Sequence, residues 1–235
     1  MKIEILYPEV NNLYGDLANI EYLAKCTDCE IINTAVFTEP AFIKEDVDLL
    51  YMASCTEKGQ TLACKSLLPY KEELVKRIKD GKVTLFTGNA LEILGKYIEN
   101  DDKTKEEMLG IYDYYAVRRM LKRHNSLYLG KFQDKEIVGF KSIFAFTYGY
   151  NGEYLFDTER GIGNNDKTMN EGVKDHNFMA TYITGPLLIL NPDFTKYLLK
   201  LLGVNNPSLA YEEEAYEAYN ERVKQFKDPK KGIFY

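Results

Sequence analysis

Strand and helix patterns alternate along the first third of the chain, and this alternation restricts the fold more than any other feature of the sequence. Residues 47–53 (VDLLYMA) are an almost continuous apolar run, which is typical of a strand covered on both faces of a sheet. The predicted strands are residues 2–6, 30–37, 47–53 and 82–86, and the predicted helices are residues 12–25, 60–79 and about 90–98. Strands that alternate with helices predict an α/β fold with a mostly parallel sheet and right-handed crossovers.

The middle of the chain has a different character. Residues 109–156 are rich in Tyr, Phe, Val and Gly and contain short strand-like runs, which predict antiparallel strands attached to the parallel sheet. The polar stretch 161–172 predicts a loop, and helical patterns return at residues 193–202 and 208–226. Because no internal repeat or linker divides the chain, we expect one domain over residues 1–204, with residues 205–235 forming a C-terminal helix and tail packed on it.

Charge and hydropathy exclude two classes of partner. The chain has 30 Lys and Arg against 36 Asp and Glu, a formal net charge of −6, which argues against nucleic acid because phosphate binding needs clustered cations. No apolar run approaches the roughly 18 residues that cross a bilayer. The N-terminus, MKIEILYPEV, has no long apolar stretch and no small-residue cleavage site. We therefore expect a cytoplasmic protein with no membrane span and no secretory signal.

The metal-binding residue types do not form a known pattern. The cysteines are Cys26, Cys29, Cys55 and Cys64, and their spacing lacks the second close pair of a tetrahedral zinc site. The acidic loop at residues 161–172 lacks the regular ligand spacing of a calcium loop, and there is no Walker-type phosphate loop. We predict reduced thiols, no metal and no cofactor.

One predicted loop has the form of a site for nucleophilic catalysis. Ligands bind at the carboxyl ends of the strands in an α/β sheet, which here are residues 8–16, 53–60, 87–90 and 184–186. The third of these is a strand, a small turn and a helix (TLFTGNALEILG), the shape of a nucleophile elbow. An elbow needs Ser or Cys at its tip, whereas this turn offers Thr87, Gly88 and Asn89. The pattern alone leaves open that these small residues only allow close packing.

Several segments between residues 5 and 202 occur in one fixed order. They are NNLYGDLANI, the loop before Gln60, the elbow with ILG after it, LGIYDYY, IVGF, GNNDKTMNEG and ATYITGPLL. Together they resemble the class I glutamine amidotransferases of the cobyric acid synthase type, and most of all the amidotransferase subunit of lipid II isoglutaminyl synthase, the partner of a Mur-ligase-like subunit. The resemblance implies a three-layer, flavodoxin-like α/β fold, with a mostly parallel sheet and an antiparallel extension, and makes residues 1–204 the amidotransferase-like domain.

The chain departs from this family at the two positions that carry its chemistry. The family elbow reads Cys-Gly-Gly-Tyr-Gln-Leu-Leu-Gly, and residues 88–95 read GNALEILG, so Gly88 takes the place of the nucleophilic cysteine. The family's general-base histidine lies in Tyr-Leu-His-Gly-Pro, and residues 182–186 read YITGP, so Thr184 takes the place of the histidine. Neither catalytic residue of the family is intact.

The remaining pocket positions are altered as well. A glycine run followed by Gln-Asp and a later Gln is matched by residues 53–60 (ASCTEKGQ), in which only Gln60 is kept. The family pattern Gly-Phe-Glu-Asn-His is matched by residues 139–143 (GFKSI). The resemblance places the degenerate pocket at Ala53, Ser54, Cys55, Gln60, Thr87, Asn89 and Gly185.

These departures predict an amidotransferase fold without glutaminase activity. Glutamine hydrolysis through a thioester needs a thiolate, a base and oxyanion donors. Gly88 has no thiol to form the thiolate, and Thr184 is not a base for a thiol. We expect a partner-binding or regulatory subunit of an ATP-dependent amidating synthetase, Mur-ligase-like by resemblance and acting in cell-wall precursor amidation. Two alternatives stay open. One is an active glutaminase with a displaced nucleophile, for which Cys55 and His176 are the candidate pair, and the other is a stand-alone small-molecule sensor.

A cluster of basic residues occurs within this chain of net negative charge. It consists of Arg118, Arg119, Lys122 and Arg123, which surround His124 in sequence. The pattern predicts a solvated charged face, with docking of an acidic partner or ligand as the alternative. Arg123 is also the nearest candidate to bind the carboxylate of an amino acid.

Overall fold

The computed structural model describes residues 1–232. Its strands, numbered β1 to β14 along the chain, are Lys2–Leu6, Glu30–Thr34, Leu49–Met52, Thr84–Thr87, Tyr97–Glu99, Lys105–Glu107, Tyr115–Arg118, His124–Phe132, Lys135–Ile143, Ala145–Tyr148, Phe156–Arg160, Asn170–Glu171, Val173–Asp175 and Phe178–Thr181. Its α-helices, α1 to α6, are Ala18–Cys26, Glu57–Leu67, Lys71–Lys79, Leu187–Leu190, Pro192–Leu201 and Glu212–Lys227. Short 3₁₀ helices occur at Leu13–Gly15, Ala41–Ile43, Leu68–Tyr70 and Gly88–Leu94.

A six-stranded sheet in the order β13-β14-β4-β3-β1-β2 forms the centre of the molecule. The strands β2, β1, β3, β4 and β14 are parallel, and only the edge strand β13 is antiparallel. This parallel order is that of the flavodoxin-like folds, so the predicted mostly parallel α/β sheet is confirmed. Neighbouring residues face opposite sides, with Leu50 and Met52 in one hydrophobic core and Leu49 and Tyr51 in the other.

Strands β7 to β10 of the predicted antiparallel region, residues 109–156, join strands from outside that range to form two further sheets of four strands each. One has the order β10-β7-β5-β6, in which β5 and β7 are parallel, and the other has the order β12-β11-β8-β9. The second sheet reaches the central sheet through an isolated bridge between Phe140 and Thr184. Gly139 permits this contact, because a Cβ there would lie 2.2 Å from the Ile183 Cγ2 atom.

Three predicted helices have different boundaries in the structure. The helix predicted over residues 60–79 is two helices, α2 and α3, because Pro69 lacks the N–H that would continue α2. The helix predicted over residues 12–25 begins as α1 at Ala18, after a 3₁₀ turn in which Tyr14 has a positive φ. The segment predicted as a helix over 90–98 is the 3₁₀ helix Gly88–Leu94, followed by β5.

The C-terminal helix α6 packs on the outer face of β8 and β9. Tyr219 is buried there with Leu129 and Val138, and its hydroxyl donates to the Glu136 carbonyl oxygen at 2.9 Å. Arg160 of β11 donates to the Asp228 carbonyl oxygen at 2.8 Å, which attaches the segment after α6. The last three residues of the predicted 205–235 tail lie outside the described residues. Within residues 1–232, no helix is long and apolar enough to span a membrane.

Candidate functional site

A cleft of about 100 Å³ opens at the carboxyl ends of β3, β4 and β14, where a site was expected. Residues from the loops after β1, β3, β4 and β14 line it together with residues at the ends of β7 and β9. The lining includes Gly88 and Thr184, so the structure brings the two substituted positions into one cavity. Tyr14 borders the cleft on one side, and its hydroxyl donates to the Ser142 Oγ atom at 2.9 Å.

Gly88 lies in a sharp turn directly after β4 with a φ of +59°, a conformation that favours glycine. A Cβ atom built on Gly88 would lie 2.3 Å from the Ser54 Cβ and 3.2 Å from the Ser54 Cα. The first distance is far below van der Waals contact. The Ser54 side chain therefore occupies the space that a cysteine at position 88 would need.

The loop after β3 and the elbow after β4 are joined by a reciprocal pair of hydrogen bonds. The Cys55 N–H donates to the Asn89 Oδ1 atom at 2.9 Å, and the Asn89 side-chain amide donates to the Cys55 carbonyl oxygen at 2.9 Å. An oxyanion hole needs backbone donors that point at the reacting oxygen of the substrate. The Cys55 N–H is already used inside the protein, so it does not supply such a donor.

Further hydrogen bonds hold Ser54 in place. Its N–H donates to the Asp16 Oδ2 atom at 2.9 Å, and its hydroxyl donates to the Leu13 carbonyl oxygen at 2.7 Å. Thr87 also donates to the Asp16 carboxylate, at 2.5 Å. Burial raises the pKa of Asp16, an effect that these hydrogen bonds oppose. Movement of Ser54 away from Gly88 would break this set of contacts.

Thr184 has its side chain engaged within the protein. Its hydroxyl donates to the Phe140 carbonyl oxygen at 3.2 Å, and the backbones of the two residues form hydrogen bonds in both directions. A threonine hydroxyl does not accept a proton from a thiol near neutral pH. Among the described residues that line the cleft there is no histidine, so the residue type that serves the family as its general base is absent from the lining.

A buried network lies beneath the elbow. The Gln60 side-chain amide donates to the Asn89 carbonyl oxygen at 2.6 Å and to the Glu92 Oε2 atom at 2.9 Å, and Arg118 donates to the Gln60 Oε1 atom at 2.5 Å. Burial raises the pKa of Glu92 to about 7, against the lowering effects of Gln60 and Arg118. Gln60 therefore supports the elbow from below and does not line the cleft.

The other predicted pocket positions lie at different depths. Ser54, Cys55 and Asn89 line the cleft, whereas Ala53 is buried in the core and Thr87 lies beneath the elbow. Gly185 follows Thr184 in a turn with a φ of +133°. It is not part of the cleft lining.

Two arginines of the predicted basic cluster contribute to the cleft. Arg118 is buried and Arg123 is at the rim, with its guanidinium 4.5 Å from the centre of the Phe144 ring. The prediction of one solvated face is wrong for Arg118, because it pairs with Glu106 and supports Gln60. No sequence pattern indicates the roles of Arg118 and Glu92, because their partners are distant along the chain.

Cys55 and His176 do not form the hypothesised catalytic pair. Cys55 is fully buried, and this burial raises the pKa of its thiol well above the usual range. His176 precedes β14, whereas the cleft follows it, and it lines a separate cavity of about 700 Å³ with Tyr112 and Tyr150. Its Nδ1 atom is 2.7 Å from the Asp175 carboxylate. The displaced-nucleophile hypothesis therefore has no support in the geometry.

The structure shows no grouping of metal ligands within residues 1–232. In the polar loop at 161–172, the side-chain amides of Asn164 and Asn165 donate to the carbonyl oxygens of Gly172 and Thr147, at 3.0 and 2.5 Å. These two side chains therefore serve to hold the loop against its neighbours.

Similarity to known proteins covers most of the chain. Residues 2–191 match the family of CobB/CobQ-like glutamine amidotransferase domains. The chain is 30% identical over 195 residues to the lipid II isoglutaminyl synthase (glutamine-hydrolyzing) subunit GatD of Staphylococcus aureus (strain N315), a match that covers 80% of this chain and 79% of that protein.

Solved structures have the same fold at low sequence identity. A glutamine amidotransferase structure has a TM-score of 0.57 at 15% identity and covers 86% of this chain and 99% of that one. The structure of PurLQS from Thermotoga maritima has a TM-score of 0.54 at 11% identity and covers 94% of this chain and 98% of that one. At these identities the likeness concerns the fold alone.

Proposed function

Because the chain belongs to the family of CobB/CobQ-like glutamine amidotransferases, we propose that it is a catalytically degenerate member, with the fold of the family and without its glutaminase activity. One observation carries this proposal. Gly88, at the nucleophile position, is packed so closely against Ser54 that a Cβ at position 88 would lie 2.3 Å from the Ser54 Cβ.

The chemistry of glutamine hydrolysis explains why this matters. The reaction needs a thiolate to attack the amide, a base to activate it and donors for the oxyanion. At the corresponding places the cleft has Gly88, the engaged hydroxyl of Thr184 and a Cys55 N–H that already donates to Asn89. Loss of one member of such a unit costs orders of magnitude in rate, and here all three are altered.

We propose that the chain acts as a non-hydrolytic subunit of an ATP-dependent amidating synthetase. Its relative in Staphylococcus aureus is by name a subunit of lipid II isoglutaminyl synthase, which supports a role in cell-wall precursor amidation, and the resemblance of the sequence motifs implies a Mur-ligase-like partner. A synthetase that uses free ammonia needs no glutaminase, but it can still need the subunit to shape the complex. We propose the cytoplasm as the location of this complex, because the proposed partner consumes ATP.

The altered cleft is expected to bind glutamine more weakly than about 1 mM, which corresponds to a binding free energy below about 4 kcal/mol. The Ser54 side chain fills space at the elbow, and the Asn89–Cys55 pair uses polar groups that would otherwise face the substrate. Calorimetric titration with glutamine tests this, with an active amidotransferase of the same family, inactivated at its cysteine, as the positive control. Micromolar binding would contradict the proposal and favour the alternative of a small-molecule sensor.

A further inference from the structure

Two apolar side chains protrude from the surface in the turn between β7 and β8. Leu121 is 96% exposed and Met120 is 43% exposed, and we call these two residues the apolar knob. The flanking residues are Arg119 and Lys122. A turn needs no apolar residue at its tip for folding, and Leu121 buries almost none of its surface in this chain. The knob is therefore available for contact with another molecule.

Hydrogen bonds hold the knob in a defined shape. The Arg119 N–H donates to the Phe144 carbonyl oxygen at 2.7 Å, and the Lys122 N–H donates to the Arg119 carbonyl oxygen at 3.0 Å. The Met120 N–H donates to the Asp101 carboxylate at 2.9 Å. Because these bonds fix the turn, presentation of the two side chains to a partner costs little ordering entropy.

The knob lies beside the entrance of the cleft. Arg118 precedes it and Arg123 follows it, and both line the cleft. The Arg123 guanidinium stacks over the ring of Phe144. The backbone carbonyl oxygen of the same residue accepts the hydrogen bond from Arg119 that holds the knob.

Of the three cationic residues beside the knob, one is paired with carboxylates and two are not. Arg119 lies within 4 Å of the carboxylates of Glu99 and Asp101 and is neutralised by them. Lys122 and Arg123 are exposed, and within residues 1–232 neither has a carboxylate at salt-bridge distance. The exposed apolar tip thus has two free positive charges on one side.

We propose that the apolar knob inserts into an apolar pocket with an acidic rim on the amidating synthetase. The inference rests on the proposed function, because it takes that synthetase as the partner. Leu121 and Met120 supply the buried contact, and Lys122 and Arg123 pair with the acidic rim.

A protein pocket fits the knob better than an anionic bilayer does. Within the described part of the chain, Lys122 and Arg123 are the only two unpaired cations of the basic cluster, whereas segments that bind an anionic lipid surface have clusters of about four to eight Lys and Arg residues. Two apolar side chains also insert too little surface to hold a protein of 27.1 kDa on a membrane. A pocket can bury one leucine fully and match each charge separately.

The test is the affinity of Leu121→Asp for the purified Mur-ligase-like synthetase subunit, measured by calorimetry. We expect the dissociation constant to rise at least about tenfold, because the pocket would have to accept a carboxylate among acidic groups. The matched control is Leu68→Asp at the opposite end of α2 from the cleft, where the leucine is 52% exposed, and it should bind as the unmodified protein does. Lys122→Glu should weaken binding and reduce its dependence on salt.

The outcomes distinguish failure of the knob as the contact from failure of the proposed function. If Leu121→Asp binds as tightly as the unmodified chain, the knob is not the contact, although the proposed function stands. If the unmodified chain does not bind the synthetase subunit, the proposed function fails and the partner of the knob with it. Binding to phosphatidylglycerol vesicles that Leu121→Asp abolishes would overturn the protein partner in favour of a bilayer. Unchanged thermal unfolding of Leu121→Asp shows that the fold is intact.

Discussion

A variant with Gly88→Cys and Thr184→His is expected to hydrolyse no glutamine above background, although it has both side chains of the family's catalytic pair. The new cysteine would have its Cβ 2.3 Å from the Ser54 Cβ, so the elbow or the loop must distort to admit it. Hydrogen bonds to Asp16 and Leu13 hold Ser54 where it is. The Cys55 N–H would still donate to Asn89 and not to the substrate.

Adding Ser54→Gly to this variant is expected to admit the cysteine, since it removes the Cβ that lies in the way. We expect the triple variant, and not the double one, to be labelled covalently by an electrophilic glutamine analogue and to release glutamate at a rate at least about tenfold above background. Labelling is read by mass spectrometry, and Ser54→Gly alone is the matched control. Equal labelling of the double and triple variants would show that Ser54 is not the barrier.

Glu171→Gln is expected to destabilise the protein by about 3–5 kcal/mol, because it leaves a buried ammonium group without its counter-ion. Lys141 and Glu171 are both fully buried, with the Lys141 Nζ atom 3.4 Å from the Glu171 Oε1 atom. Burial lowers the pKa of Lys141, and the Glu171 carboxylate opposes this effect. The same carboxylate accepts hydrogen bonds from the Tyr182 N–H at 2.8 Å and from the Thr181 hydroxyl at 2.6 Å.

Urea unfolding at pH 7 measures the effect of Glu171→Gln. The matched control is Glu159→Gln, which removes the same charge from the more exposed pair of Lys131 and Glu159 and should change stability much less. A similar loss in both variants would mean that the pair of Lys141 and Glu171 contributes no more to the free energy of unfolding than the more exposed pair does. The expected large loss identifies this pair as part of the frame that positions the strand end before Thr184.

The parallel sheet could be predicted because its strands carry their pattern locally. Residues 49–52 and 84–87 are buried at every position, as expected for the buried strands predicted over residues 47–53 and 82–86, and the alternation with helices indicates that the strands are parallel. The helix predicted over residues 60–79 was too long because the apolar spacing continues past Pro69, while the backbone hydrogen bonding does not. Local patterns therefore located the elements better than their ends.

The site was harder to predict because it depends on contacts between distant segments. Alignment with the family motifs indicated Gly88 and Thr184 as the positions of the catalytic cysteine and histidine. Both residues line one cleft in the structure. The hydrogen bonds between Cys55 and Asn89 join residues 34 positions apart and follow no spacing rule. His176 is close to Thr184 in sequence but lies at the other end of β14, since a strand separates neighbours by about 3.3 Å per residue.

Glutamate release from glutamine is the measurement that tests the central claim most directly. It is made on the unmodified protein, alone and with its Mur-ligase-like synthetase subunit, with ammonium chloride as the alternative nitrogen source. The account predicts no glutamate above the protein-free background in either case, while the complex amidates its substrate when ammonium is supplied. Robust glutamate release that disappears with Cys55→Ala would contradict it and establish a displaced nucleophile.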